Sequence, residues 1–261
     1  LGEARESGLV NIQVNARLAD CVELERQLIQ ETGLKDAVVV PTPGDQDQIA
    51  PVLGRATAEY LARHLGETRV RGLGIGWGAT LRETIRHLRA DNLPALSINS
   101  MMGGLTHGLE INTFEIASEF ARRINGQCNY LAAPIYAGSP RSRDTILDQD
   151  VFQETFQRLA TNDVALLSVG DLSRRSLLIR YGLPPDVTVD SLRAAGAVGD
   201  IMGTFLDPWG KPVKHVLNRR VIAAPVEMLR DIATVIVASG GLNKTTILAG
   251  VLRAKLCSVL V

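Results

Sequence analysis

The strongest constraint on the fold is an alternation. Short runs of Val, Ile, Leu and Ala recur along the chain, and most are followed by a stretch with helical apolar spacing. Residues 70–76, 95–99, 130–133, 164–169, 222–225, 234–238 and 257–261 read as strands, with 164–169 the most continuous. Residues 80–88, 113–124, 150–160 and 244–252 read as helices, preceded by a long one around 49–65. Strands that are apolar on both faces need helices over both, so the pattern predicts an α/β fold built on a mostly parallel sheet. An entry segment precedes this. Residues 9–14 have a half-buried strand pattern, and Asp20 with Glu23 has capping-box spacing before Leu24, Leu28 and Ile29. Gly33 then stops the helix ahead of a strand at 37–40, closed by Pro41. Residues 177–218 break the alternation and are expected to carry loops that shape a site.

Composition removes several classes of function. The 261 residues carry 28 basic and 28 acidic side chains, so the chain is not a coat for nucleic acid or for a membrane surface. Aromatics make up 4%, too few for stacking platforms on single strands. No apolar run approaches the roughly 18 residues that span a bilayer, and LGEARESG lacks a signal peptide's layout. Cys21, Cys128 and Cys257 form no CxxC and read as reduced, buried thiols of a cytoplasmic protein. His64, His87, His107 and His215 lack metal-ligand spacing, and His64 and His87 are expected on exposed helix faces. There is no GxSxG elbow. Asp144, Asp148 and Asp150 read as a loop run without a calcium loop's glycine and glutamate, and Arg141 and Arg143 as a solvated loop face. Asp207-Pro208-Trp209-Gly210 reads as a β-turn.

Four glycine-rich turns remain. Gly72-Leu73-Gly74-Ile75-Gly76-Trp77-Gly78-Ala79-Thr80 joins a strand to a helix. Its glycines fall at every second position, so it is neither the GxGxxG fingerprint nor a Walker loop. It offers either an anion site at a helix N-terminus, with the Thr80 hydroxyl to hand, or a tight turn that binds nothing. Ser100-Met101-Met102-Gly103-Gly104-Leu105 and Ser239-Gly240-Gly241-Leu242-Asn243-Lys244 also follow strands. Ligands of open α/β sheets gather at the carboxyl ends of strands, so three such turns point to one anionic small-molecule site. Lys244 is either that site's fixed charge or a solvated surface lysine. In Gly196-Ala197-Val198-Gly199-Asp200-Ile201, Asp200 either accepts hydrogen bonds from ligand hydroxyls or caps the next turn.

Together these motifs resemble the effector-binding domain of the SorC (DeoR-like) family of bacterial transcriptional regulators. Glu6-Ser7-Gly8-Leu9-Val10 with Ile12-Gln13-Val14-Asn15 belongs to the same likeness, which covers nearly the whole chain. The resemblance implies a Rossmann-like domain, 1–261, related to sugar-phosphate isomerases and deaminases, with 1–8 the remnant of a linker from a helix-turn-helix domain. It implies a phosphorylated sugar or polyol as effector, operator DNA as a partner through that other domain, a homodimer or homotetramer, and no cofactor. Carried over by motif, Gly76, Gly78, Ala79 and Thr80 hold phosphate with Gly103, Gly104 and Leu105 nearby. Asp200 binds hydroxyls, and Lys244 pairs with ligand oxygens. Ala79 stands where the family often has Arg or Thr, which removes a side-chain contact. An active isomerase or deaminase on this scaffold is the alternative; it needs a positioned base, for which Asp200 is the one candidate.

Overall fold

In the computed structural model, which describes residues 16–89, 92–105 and 112–261, the alternation becomes a seven-stranded, wholly parallel sheet. Its order is β1 (Asp36–Ala37), β10 (Val259–Leu260), β9 (Thr234–Val237), β5 (Val164–Leu167), β2 (Gly72–Ile75), β3 (Ser97–Ser100) and β4 (Gln127–Asn129). The central strands β2 and β5 are buried at every residue, as a sheet covered on both faces requires. The helices are α1 (Ala16–Thr32), α2 (Ile49–Glu67), α3 (Ala79–His87), α4 (Thr113–Ile124), α5 (Pro140–Leu147), α6 (Asp150–Leu159), α7 (Leu177–Tyr181), α8 (Val189–Ala194) and α9 (Thr245–Arg253). In α4, Ile116, Phe120 and Ile124 recur at helical spacing and all lie in the core. The expected strand at 9–14, the linker at 1–8 and His107 lie outside the described residues.

A second, antiparallel sheet interrupts the parallel pattern. β5 ends at Leu167, and after Ser168 the chain continues as β6 (Val169–Asp171), which pairs with β7 (Gly199–Ile201); β7 turns back into β8 (Thr204–Leu206). The β7–β8 turn uses Met202 and Gly203, both with positive φ (50° and 76°), the geometry of a tight hairpin. β7 and β8 fall in the region that broke the alternation, which also carries the short helices α7 and α8.

Several local expectations are corrected. Asp20 lies inside α1 rather than at its cap, and Glu23 pairs with Arg26 instead. Leu24 is 49% exposed, so α1 does not bury that part of its apolar face. The edge strand is 127–129, not 130–133. A polar network explains it: the Asn129 amide donates to Asn99 Oδ1 and Ser97 Oγ, and Asn99 donates to Asn162 Oδ1 at 2.7 Å. Residues 222–225 form no strand: Ala223 makes an isolated bridge to Met102, and the preceding Val221 one to Tyr136. Arg141, Arg143, Asp144 and Asp150 lie on helices, and Asp148 caps α5. His87 is exposed, but His64 is half-buried against Tyr60, and burial pushes its pKa down. All three cysteines are free thiols; Cys21 is buried, while Cys128 and Cys257 are half-buried.

Candidate functional site

Sheet order reverses between β2 and β5. From β2 the chain runs outward through β3 and β4, and from β5 it runs the other way through β9 and β10. Crevices form at such switch points because the loops on either side part in opposite directions. A cleft of about 320 Å³ opens there, lined by residues 77–80, 168–171, 175–178, Asp200, Gly240, Asn243 and Lys244, with Gln46, Asp47, Ile49 and Ala50 at its edge.

The first wall is the turn between β2 and α3. Gly72 and Gly74 of the alternating series serve packing: a Cβ at Gly74 would lie 2.3 Å from Met101 Sδ, and one at Gly72 2.9 Å from Asn162 Oδ1. Gly78 serves the turn. Its φ of 127° and ψ of 165° belong to a region that only glycine enters without strain. It opens α3 with no side-chain cap, so the first-turn N–H groups and the positive end of the helix dipole are left at the cleft.

The second wall is the antiparallel ribbon. Gly170 lies opposite Asp200 in the β6–β7 register, and a Cβ there would sit 2.2 Å from Asp200 Oδ1. Asp200 is 3% exposed. Its Oδ2 accepts the Gly203 N–H at 3.1 Å, while its buried Oδ1 has no partner. One oxygen therefore caps the turn at Gly203, and the other is left without a partner. Burial raises its pKa from 3.8 to about 6, and Asp171 adds to this; the Gly203 N–H and the charge on Lys244 oppose it.

The third wall follows β9. Gly241, at φ 106°, starts a short 3₁₀ turn, Leu242–Lys244, that leads into α9. Lys244 is half-buried, and its ammonium donates to Ser239 Oγ at 3.1 Å. Burial lowers its pKa, and Asp171 and Asp200 push it back up. At the rim, the exposed Arg175 donates to Gln46 Oε1, bridging the β6–α7 loop and the approach to α2.

Of the residues singled out from sequence, Gly78, Ala79, Thr80, Asp200 and Lys244 are brought together around the cleft. Gly76 stops short of it, packed against Leu167. Gly103, Gly104 and Leu105 are not brought to it. Gly103 lies against the Ala133 and Pro134 backbone, and Gly104 and Leu105 border a separate apolar depression with Phe114 and Tyr130. Sequence reasoning missed Ser168, Gly170, Asp171 and Arg175, and gave Asn243 no role of its own within the turn that carries Lys244. The rule that flagged the other turns would have found 168–171, since Gly170 follows the most continuous strand.

A switch-point cleft bordered by a buried carboxylate, a lysine and an uncapped helix N-terminus defines an α/β domain for binding a small polar molecule. Residues 16–261 match the family model described as "Putative sugar-binding domain", and the chain belongs to that family. The erythritol catabolism regulatory protein EryD of Brucella abortus is 24% identical over 254 residues, 97% of this chain and 80% of EryD. The transcriptional regulator LsrR of Escherichia coli (strain K12) is 25% identical over 270 residues, 100% of this chain and 80% of LsrR. A DeoR family transcriptional regulator from Listeria monocytogenes has the same fold at a TM-score of 0.85 and 26% identity, covering 93% of this chain and 96% of that one. The full-length sorbitol operon regulator SorC from Klebsiella pneumoniae gives 0.84 at 24% identity, covering 100% and 84%, a likeness of fold. The resemblance to SorC/DeoR regulators holds, and these relatives are transcriptional regulators, not enzymes. The chain is an effector-sensing, sugar-binding domain of that regulator class.

Proposed function

We propose that the effector is a phosphorylated sugar or polyol bound in the switch-point cleft. The carrying observation is Asp200 Oδ1, a buried acceptor without a partner in the same cleft as the uncapped N-terminus of α3. An acceptor-only carboxylate suits sugar hydroxyls, and a helix N-terminus suits phosphate. In this reading Gly78, Ala79 and Thr80 hold the phosphate through backbone N–H groups and the Thr80 hydroxyl. Asp200 takes hydroxyls, and Lys244 pairs with ligand oxygens. Gly76 contributes through the turn it leads into; Gly103, Gly104 and Leu105 contribute only as the neighbouring strand end. The parent protein works in the cytoplasm as a homodimer or homotetramer, and meets operator DNA through a separate helix-turn-helix domain. Binding shifts the balance between oligomeric arrangements and so changes how those heads meet DNA.

The test is a thermal-shift panel of C4 to C6 sugar and polyol phosphates beside their unphosphorylated counterparts. Phosphorylated compounds raise the melting temperature, and Lys244→Ala or Thr80→Ala reduces the effect. Equal stabilisation by the unphosphorylated set overturns the phosphate assignment, and a monomer by light scattering at all concentrations overturns the assembly.

A further inference from the structure

Lys244 is carried by residues whose own hold on the protein is slight. The turn before it is Gly240-Gly241-Leu242-Asn243: two glycines, a leucine that is 95% exposed, and one polar side chain. The turn has no side-chain cap at its start, and Gly241 sits at a positive φ. Gly240 fits closely against Leu53, where a Cβ would lie 2.8 Å from Cδ1, but that contact is apolar and confers no direction. Asn243 is thus the only side chain of the four able to tie the turn down by a hydrogen bond, and it does so: its amide donates to Asp171 Oδ2.

Asp171 is placed for this. It is 3% exposed, and its Oδ1 accepts the backbone N–H of Ser173 at 3.2 Å and the Ser173 hydroxyl at 2.9 Å. Those bonds fix the carboxylate plane and leave Oδ2 for Asn243. Asp171 is also the last residue of β6, paired with Gly199, while its neighbour Gly170 is paired with Asp200. The hydrogen bond therefore joins the ribbon that carries Asp200 to the turn that carries Lys244. These two walls of the cleft otherwise belong to different sheets.

We propose that Asp171 is a positioning residue of the effector site, which through Asn243 clasps the Lys244 turn to the Asp200 ribbon. The proposal rests on the reading that Lys244 and Asp200 both meet the effector. A ligand bridging them gains from a clasp formed before it arrives, since the relative placement of the two walls is already fixed. The negative charge of Asp171 has a second consequence: it faces Lys244 and favours the ammonium that burial disfavours.

The experiment uses the ligand-free protein, so that a failed effector assignment cannot be mistaken for a failed clasp. Amide hydrogen exchange is followed at residues 242–245, with cooperative melting as the check that each variant is folded. Asn243→Asp sets two carboxylates face to face, and exchange there rises about tenfold, the scale of one hydrogen bond. The swap Asp171→Asn with Asn243→Asp restores donor to acceptor and returns exchange to within about threefold of the parent. Asn243→Ala, a truncation of an exposed residue, loosens the same amides. In Asp171→Ala, the Lys244 ammonium titrates at a lower pH by nuclear magnetic resonance. Unchanged exchange in Asn243→Asp and Asn243→Ala, or a folded swap that fails to restore it, overturns the clasp. Should Lys244→Ala instead leave effector binding intact, the effector assignment falls while the exchange data still decide the clasp.

Discussion

Asp200 is held at a cost to the free domain. Its carboxyl titrates near 6 when folded and near 3.8 when exposed, because burial disfavours the charge. A raised carboxyl pKa favours the fold fully below the unfolded value, and that benefit is lost as pH rises through 6. At neutral pH the ionised group therefore lowers stability by on the order of 2–3 kcal/mol. Asp200→Asn is expected to unfold at higher urea, and to flatten the fall in stability between about pH 4 and pH 7. The same variant binds the effector more weakly, because the free acceptor becomes an amide. A carboxylate that receives ligand hydroxyls must be ionised, so binding near pH 6 releases a proton; calorimetry in buffers of different ionisation enthalpy reads it directly. An unchanged pH profile in the variant would remove Asp200 as the group responsible. Sequence placed this acid between Gly199 and Ile201 and left its role open between cap and ligand. It could not resolve that, because the two oxygens differ: one accepts the Gly203 N–H and the other has no partner.

Among elements, α3 and its entry turn carry the sharpest expectation. At Gly78 the backbone, not space, imposes glycine: the nearest atom to an added Cβ, outside its chain neighbours, is Ser168 Cβ at 3.8 Å. Gly78→Ala is expected to cost about 1–3 kcal/mol in urea unfolding through strain alone. It also turns the first N–H groups of α3 off the cleft, so phosphate-dependent stabilisation falls with it; a variant as stable as the parent would contradict the strained geometry. Helices 113–124 and 150–159 and the strands at 72–75 and 234–237 were legible because their apolar spacing is unambiguous. The β4 edge was not, since its register is set by Asn99, Asn129 and Asn162, polar residues that an apolar pattern passes over. The ribbon escaped for another reason: its strands are three residues each, too short for any periodicity to declare itself.

For the whole molecule, the charge balance that argued against nucleic acid describes a sensor's surface and is silent about any other part of the parent protein. A ligand that binds only the folded state stabilises it by about 2.7 kcal/mol at a hundredfold excess over its dissociation constant. For a domain of this size that corresponds to a rise of roughly 5–11 °C in melting temperature, and a matching effector that gives none would exclude this cleft. The alternation fixed the fold class across the chain, whereas the cleft depends on which strand ends the topology makes neighbours. Gly104, which follows β3, and Gly241, which follows β9, look alike as sequence, yet only the second of these turns faces Asp200.

The ribbon that leaves β5 at Ser168 runs on through β8 into the turn at Asp207-Pro208-Trp209-Gly210, where Trp209 is 64% exposed. The other tryptophan, Trp77, is 8% exposed and lines the cleft. The protein thus carries two tryptophan fluorophores, one at the cleft and one on the turn beyond the ribbon. In Trp77→Phe the remaining tryptophan emission, excited selectively over the tyrosines, reports from the outer turn alone. A ligand-dependent change in that signal would trace how far binding is felt along the ribbon, and silence would confine its effect to the cleft.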